Sequence, residues 1–175
     1  EAASSETNFS TFQVPFSILR KQIPEFFAAK HPAILEQKND EASLRILVRL
    51  LPFIFDIEVF GQIFESLHNF LSDSQKVSKE LNQAVDDSLE IQFDESAVAF
   101  LFQLLSRNLM KDFDSASIYL FSLYYPIFED LSKDSALMLI NAINLSFASE
   151  NPNLEILCFS IERIAEQYKA RSPIL

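Results

Sequence analysis

Glycine is almost missing from this chain: Gly61 stands alone in 175 residues. Positive-φ turns, bulges and phosphate-cradling loops draw on glycine, because a Cβ is strained or obstructive there. Phosphate loops and dinucleotide fingerprints are therefore excluded on composition, and few of the turns that sandwiches and barrels need can be built. Helices joined through Asp, Ser and Asn caps need no glycine. Tryptophan is absent, and the single cysteine, Cys158, leaves no internal disulfide to form. Its neighbours Leu157 and Phe159 predict a buried thiol, and nothing implies an oxidising compartment.

Long apolar runs are missing too. The longest uncharged stretches, Ser115–Phe128 and Ser135–Ser149, are bounded by charge and fall short of the roughly 20 residues that span a bilayer. They read as buried helices, and no membrane span is expected. Basic residues are scarce: 14 Lys and Arg face 25 Asp and Glu, for a net charge of −11. Nucleic acid needs phosphate-neutralising cations, so it is disfavoured, as is an anionic membrane surface. A basic or hydrophobic protein or peptide partner suits the chain better. No signal peptide is visible, so the expected location is intracellular, cytoplasmic or nuclear. The triplets Asn8-Phe9-Ser10 and Asn144-Leu145-Ser146 then read as incidental rather than as glycosylation sites.

What the chain does have is apolar bulk, at 49% hydrophobic residues with eighteen Phe. A buried aromatic removes roughly 150–250 Å² from water, so these rings are expected to dominate the packing. The length suits one domain, burying roughly 70% of its unfolded surface. Residues 1–11 are polar and small, and are expected to be disordered; 12–175 form a single helical-repeat-like domain.

Helical spacing and caps divide that domain. Helices are expected near Val14–Ile23 and from Pro24 to Lys38, with Pro32 kinking or splitting the second. Others are expected at Glu41–Phe55, bent by Pro52, and from Asp56 to about Leu71. Asp73-Ser74 is predicted to cap a more polar helix reaching Val85. Between Asp73 and Glu95 the acids Asp73, Glu80, Asp86, Asp87, Glu90, Asp94 and Glu95 meet only Lys76 and Lys79. Asp86–Phe93 is read as an exposed acidic loop, the core of an acidic stretch near 86–95. Beyond it, Asp94-Glu95-Ser96, Asp114-Ser115-Ala116 and Asp134-Ser135-Ala136 recur every 20 residues. Each offers side-chain oxygens to exposed helical N–H groups. They are predicted to open helices at Ser96–Met110, Ser115–Leu131 and Ser135–Ala148, and Asn151-Pro152-Asn153 opens a last one through Ala170. The fold class is all-α, with about eight or nine helices as stacked antiparallel hairpins.

A spacing of about twenty residues per helix, about forty per hairpin, is that of helical solenoid repeats. Asp40-Glu41-Ala42-Ser43-Leu44-Arg45 resembles the acid and hydrophobic-Arg signature opening the second helix of a HEAT repeat. Asn153-Leu154-Glu155-Ile156-Leu157 is similar but lacks the Arg. Asn141-Ala142-Ile143-Asn144-Leu145 is similar to the third helix of an armadillo repeat, whose helix-borne Asn holds an extended peptide backbone. The resemblance covers residues 41–171 and implies a scaffold for protein partners, although armadillo repeats usually carry turn glycines.

No motif demands chemistry. His31, His68 and Cys158 are too scattered for a metal-ligand set, and no cofactor is expected. Glu155 and Glu162 flank Cys158 and disfavour thiolate, and paired acids such as Asp86-Asp87 and Glu129-Asp130 are explained by capping and solvation. The expected class is thus a non-enzymatic protein–protein interaction scaffold, binding a partner helix or extended peptide in an apolar groove. An alternative is a closed helical bundle holding a small apolar ligand or lipid; another is an RNA-associated helical repeat, using a patch around Arg20-Lys21.

The candidate partner-binding residues each have a structural reading beside the functional one. Arg45 and Arg49 either pair with neighbouring acids or grip an acidic segment. Asn141 and Asn144 either bond a neighbouring element or clamp a peptide backbone. Tyr124 and Tyr125, about 100° apart on a helix, belong to the core unless one remains on an accessible groove.

Overall fold

A computed structural model describes residues 40–54, 56–128 and 132–171. The expected tail 1–11, the helices near Val14–Ile23 and Pro24–Lys38, His31, Arg20-Lys21 and Glu129-Asp130 lie outside them.

Aspartate opens most of the helices, as the sequence pattern implies. Asp40 accepts a hydrogen bond from the Ala42 N–H at 3.2 Å and starts α1 (Glu41–Leu50). Pro52 then converts the chain to a 3-10 turn over Leu51–Phe53, ending α1 rather than bending it. Asp56 accepts from the Glu58 and Val59 N–H groups and starts α2 (Ile57–Ser74). Asp94 caps α4 (Glu95–Asp112) through the Ser96 N–H, and Asp114 caps α5 (Ser115–Tyr124) through the Ser117 N–H at 2.6 Å. Asn153 accepts from the Ile156 N–H and opens α7 (Leu154–Arg171).

Elsewhere local signals mislead. Asp73 and Ser74 belong to the last turn of α2, which Gln75 closes in the left-handed region at φ 55°. The cap of α3 (Lys79–Leu89) is Ser78, whose hydroxyl accepts from the Leu81 N–H. Asp134 lies inside α6 (Ser132–Phe147), so only the first two of the three periodic aspartates act as caps. Pro126 ends α5 early and gives a 3-10 turn over Tyr125–Ile127. Seven α-helices and no strand are present among the described residues, rather than eight or nine helices; the two N-terminal ones of that expectation fall outside.

The stretch near 86–95 is not the exposed acidic loop that its charge suggests. Asp86–Leu89 is the last turn of α3, and Ser88 and Phe93 are buried. Two of its carboxylates bind within the chain, while Glu90 and Glu95 are exposed. Asp87 binds the Arg49 Nε at 3.1 Å and the Gln83 amide at 2.9 Å, while Asp86 binds the Arg163 guanidinium at 2.5 Å.

Every residue of α5 from Ala116 to Tyr124 is buried, and it packs against α2, α3, α4, α6 and α7. The odd-numbered helices touch in succession, α1 on α3, α3 on α5 and α5 on α7, while α4 meets α6. Aromatic rings fill the space around α5. Phe64 meets Tyr124 edge-on at 5.3 Å, Phe102 meets Phe128 at 5.2 Å, and Tyr119 meets Phe159 at 5.2 Å. Each such pair contributes roughly 0.5–1.5 kcal/mol beyond its area. Helix α6 differs from α5. It is apolar nearly all round, yet Leu137, Ile140, Leu145 and Phe147 are exposed.

Candidate functional site

The exposed face of α6 continues onto α7. Ile140, Ile143, Asn144 and Phe147 on α6, with Ile161, Ile164, Ala165 and Tyr168 on α7, line a groove of about 400 Å³. Both sets follow the i, i+3, i+4, i+7 spacing that places four side chains on one helical face. On α7 this is a second apolar stripe. The first, Ile156, Leu157, Ser160 and Ile164, is buried in the core, and the groove stripe adjoins it at Ile164. Ile140, Phe147, Ile161 and Tyr168 are all at least 39% exposed. Large apolar side chains left in water over two adjacent helices form a patch of the kind that marks an interaction surface.

Two other clefts are larger. One of about 670 Å³ runs from Ile91 and Phe93 to Pro126 and Phe128. Another, of about 450 Å³, lies between α2 and α4 and carries Glu65, His68, Asn69, Asn108 and Lys111. His68 Nε2 lies 3.2 Å from Asp114, the carboxylate that caps α5, which gives both residues a structural role. The α6–α7 groove has the least polar walls of the three, with the Asn144 amide and the Tyr168 hydroxyl its polar groups.

The residues singled out from sequence scatter across the fold. Asn144 lines the groove, and Asn141 is exposed one turn earlier on α6. Neither amide is buried, so neither needs an internal partner. Tyr124 and Tyr125 are both buried, leaving neither ring on an accessible groove. Burial raises the Tyr124 phenol well above its ordinary pKa, and its hydroxyl has no hydrogen-bond partner among the described residues. Tyr119 is also pushed up, to about 12, by burial, even though it bonds the Ser78 N–H and Asn82. Arg49 is held by Asp87, whose carboxyl the Gln83 amide and Arg49 keep below the ordinary carboxylate range. Arg45 is half-buried, and its Nε has no partner among the described residues. Cys158 is exposed, contrary to the buried thiol expected from its neighbours.

No protein-family model, curated protein or solved structure matches this chain significantly. The HEAT- and armadillo-like resemblance thus rests on sequence signatures, with which seven mutually packed helices are compatible. Among the described residues, no helix is long and apolar enough to cross a membrane, and no group of three or more His, Cys, Asp or Glu could hold a metal.

Sequence reasoning missed Ile140, Phe147, Ile161 and Tyr168 as surface residues. The available signal was the double stripe on α7, one apolar set more than a core-facing helix needs. It also missed Arg163, whose guanidinium joins α7 to Asp86 at the end of α3 and to the Leu123 carbonyl at the end of α5.

Proposed function

We propose that this chain is a non-enzymatic protein-interaction domain whose α6–α7 groove receives a helix from a partner protein. The observation that carries the reading is the pair of largely apolar i, i+3, i+4, i+7 rows lining one trough, with Ile140, Phe147, Ile161 and Tyr168 exposed. An amphipathic helix buries its own apolar stripe by lying in such a trough. The same architecture favours a HEAT-like stack of hairpins: odd-numbered helices in succession make one layer, and α4 and α6 contribute to a second. In stacked repeats, partners commonly dock on helix faces that no neighbouring repeat covers.

The groove's apolar lining favours a helix over the extended peptide expected from the armadillo likeness. Asn144 is the only amide among the lining residues, whereas an extended backbone exposes donors and acceptors along its whole length.

The test places a photo-crosslinking residue at Asn144 and asks what it captures in cells, with Ile161→Asp as control. A captured polypeptide that is lost in the Ile161→Asp variant supports the reading. Capture of RNA or lipid, or of the same polypeptides by both forms, removes it. Ile161 is 44% exposed, so its replacement should leave the helical dichroism unchanged.

A further inference from the structure

The groove has a charged flank that narrows the class of partner. On the α6–α7 turn and the outer face of α7, Glu150, Glu162 and Glu166 are exposed, while Glu155 accepts from the Val77 N–H at the α2–α3 connection. Glu162 follows the groove residue Ile161, and Glu166 follows Ala165, each turned about 100° further around α7. The exposed cations described on this hairpin are Lys133, beside Asp134, and Lys169. Arg163 does not offset the glutamates at the surface, since Asp86 and the Leu123 carbonyl hold its guanidinium and its side chain is only 11% exposed. The whole chain adds a net −11 behind this surface.

Resting on the docking reading above, we infer that the occupant is a basic amphipathic helix from another protein: apolar at i, i+3, i+4 and i+7, with Lys or Arg on the flank of that stripe that meets the outer face of α7. Apolar residues of the incoming helix fill the space between Ile140, Phe147, Ile161 and Tyr168, and its flanking cations lie over the glutamates of α7. A second copy of this chain is the poorer occupant. It would set the same glutamates against themselves, and like charges brought together at an interface are penalised. Asn144 among the apolar walls gives one polar point that selects the register of the docked helix, as a lone Asn does in a coiled-coil seam.

The experiment compares three synthetic peptides of about five helical turns, about 18 residues. All share one Leu stripe. The first has Lys on the flank that meets α7, the second has Glu there, and the third is the Lys peptide with a central Pro. Binding to the full chain is followed by fluorescence anisotropy at low salt. The Lys peptide should bind at least about tenfold more tightly than either other peptide, a modest margin for steered and complementary charge. Ile161→Asp should weaken it by about tenfold or more. That substitution adds negative charge, so mere adhesion of a cationic peptide to an acidic protein would strengthen instead. Glu162→Gln with Glu166→Gln should weaken the Lys peptide while leaving or improving the Glu peptide.

If the Glu peptide binds as well as the Lys peptide, the basic partner is wrong and the docking reading stands. If neither binds, both fall. Equal binding of the Pro-broken peptide, or binding indifferent to Ile161→Asp, overturns the helix or its site. Self-association in sedimentation that Ile161→Asp abolishes would assign the groove to a second copy and overturn the inference.

Discussion

Tyr119 and Tyr124 sit five residues apart on the same buried helix and differ in one respect. The Tyr119 hydroxyl is satisfied by Ser78 and Asn82, whereas that of Tyr124 has no partner among the described residues. An unpaired buried polar group costs roughly 1–3 kcal/mol, and a typical net hydrogen bond contributes roughly 0.5–1.5 kcal/mol. The same substitution should therefore have opposite signs at the two positions. Tyr124→Phe is expected to raise stability by about 1 kcal/mol, and Tyr119→Phe to lower it by about 1 kcal/mol, in urea denaturation at neutral pH. A loss at both positions would mean that the Tyr124 hydroxyl has a partner. Tyr119 also carries a pH dependence. Its folded pKa, about 12, lies above the ordinary 10, so the neutral phenol is favoured by folding. The associated stability is fully present below pH 10 and is lost as pH rises through about 12. At about 1.4 kcal/mol per unit the loss is on the order of 3 kcal/mol. Phenolate absorbance of Tyr119 in the folded protein should appear near pH 12 rather than near pH 10.

Among elements, α7 is held to the rest of the fold at two places. Its N-terminus meets the α2–α3 connection, where Glu155 accepts from the Val77 N–H and the Asn153 amide donates to the Gln75 carbonyl. Its middle is fixed by Arg163, which reaches Asp86 and the Leu123 carbonyl. Arg163→Ala strands that carbonyl and leaves Asp86 without its cation, so a loss of about 1–3 kcal/mol is expected. Asp86→Asn should cost less, because the Asp86 side chain is 42% exposed and can be solvated. A double-mutant cycle checks this, and coupling near zero would show that the pair does not join the helices. These elements also show what could be read from sequence. Asp40, Asp56, Asp94, Asp114 and Asn153 announced their helices because capping is local chemistry. The closing of α2 by Gln75 was hidden, since glycine is the usual marker of a left-handed cap and here a glutamine takes its place. The fate of Asp86 and Asp87 was hidden for another reason. Their partners Arg163 and Arg49 are 77 and 38 residues away, beyond any window of local pattern. The groove was half legible: Asn144 was singled out, but an apolar helix looks the same in sequence whether its outer face is covered or bare. Only the packing of α5, enclosed by five helices, and of α6, left open on one side, separates them.

For the molecule as a whole, one electrostatic quantity sets two responses. A net charge of −11 makes the folded state repel itself, and added salt screens that repulsion. The exposed Arg49–Asp87 pair, with side chains 44% and 40% exposed, is weakened by the same salt, but a solvent-exposed pair contributes little to stability. Repulsion among the excess acids should dominate, so stability is expected to rise as ionic strength increases from about 0.01 to about 0.15 M, where the Debye length falls from about 30 to about 8 Å. Docking of a basic helix should respond in the opposite direction, because the attraction between its cations and Glu162 and Glu166 is screened over the same distances. Chemical denaturation and peptide anisotropy measured across one salt series give both slopes. A rise in stability with a fall in affinity is the expected pair. If affinity rose with stability, apolar contact with Ile140, Phe147, Ile161 and Tyr168 would account for docking by itself, and the glutamates beside the groove would serve solvation only.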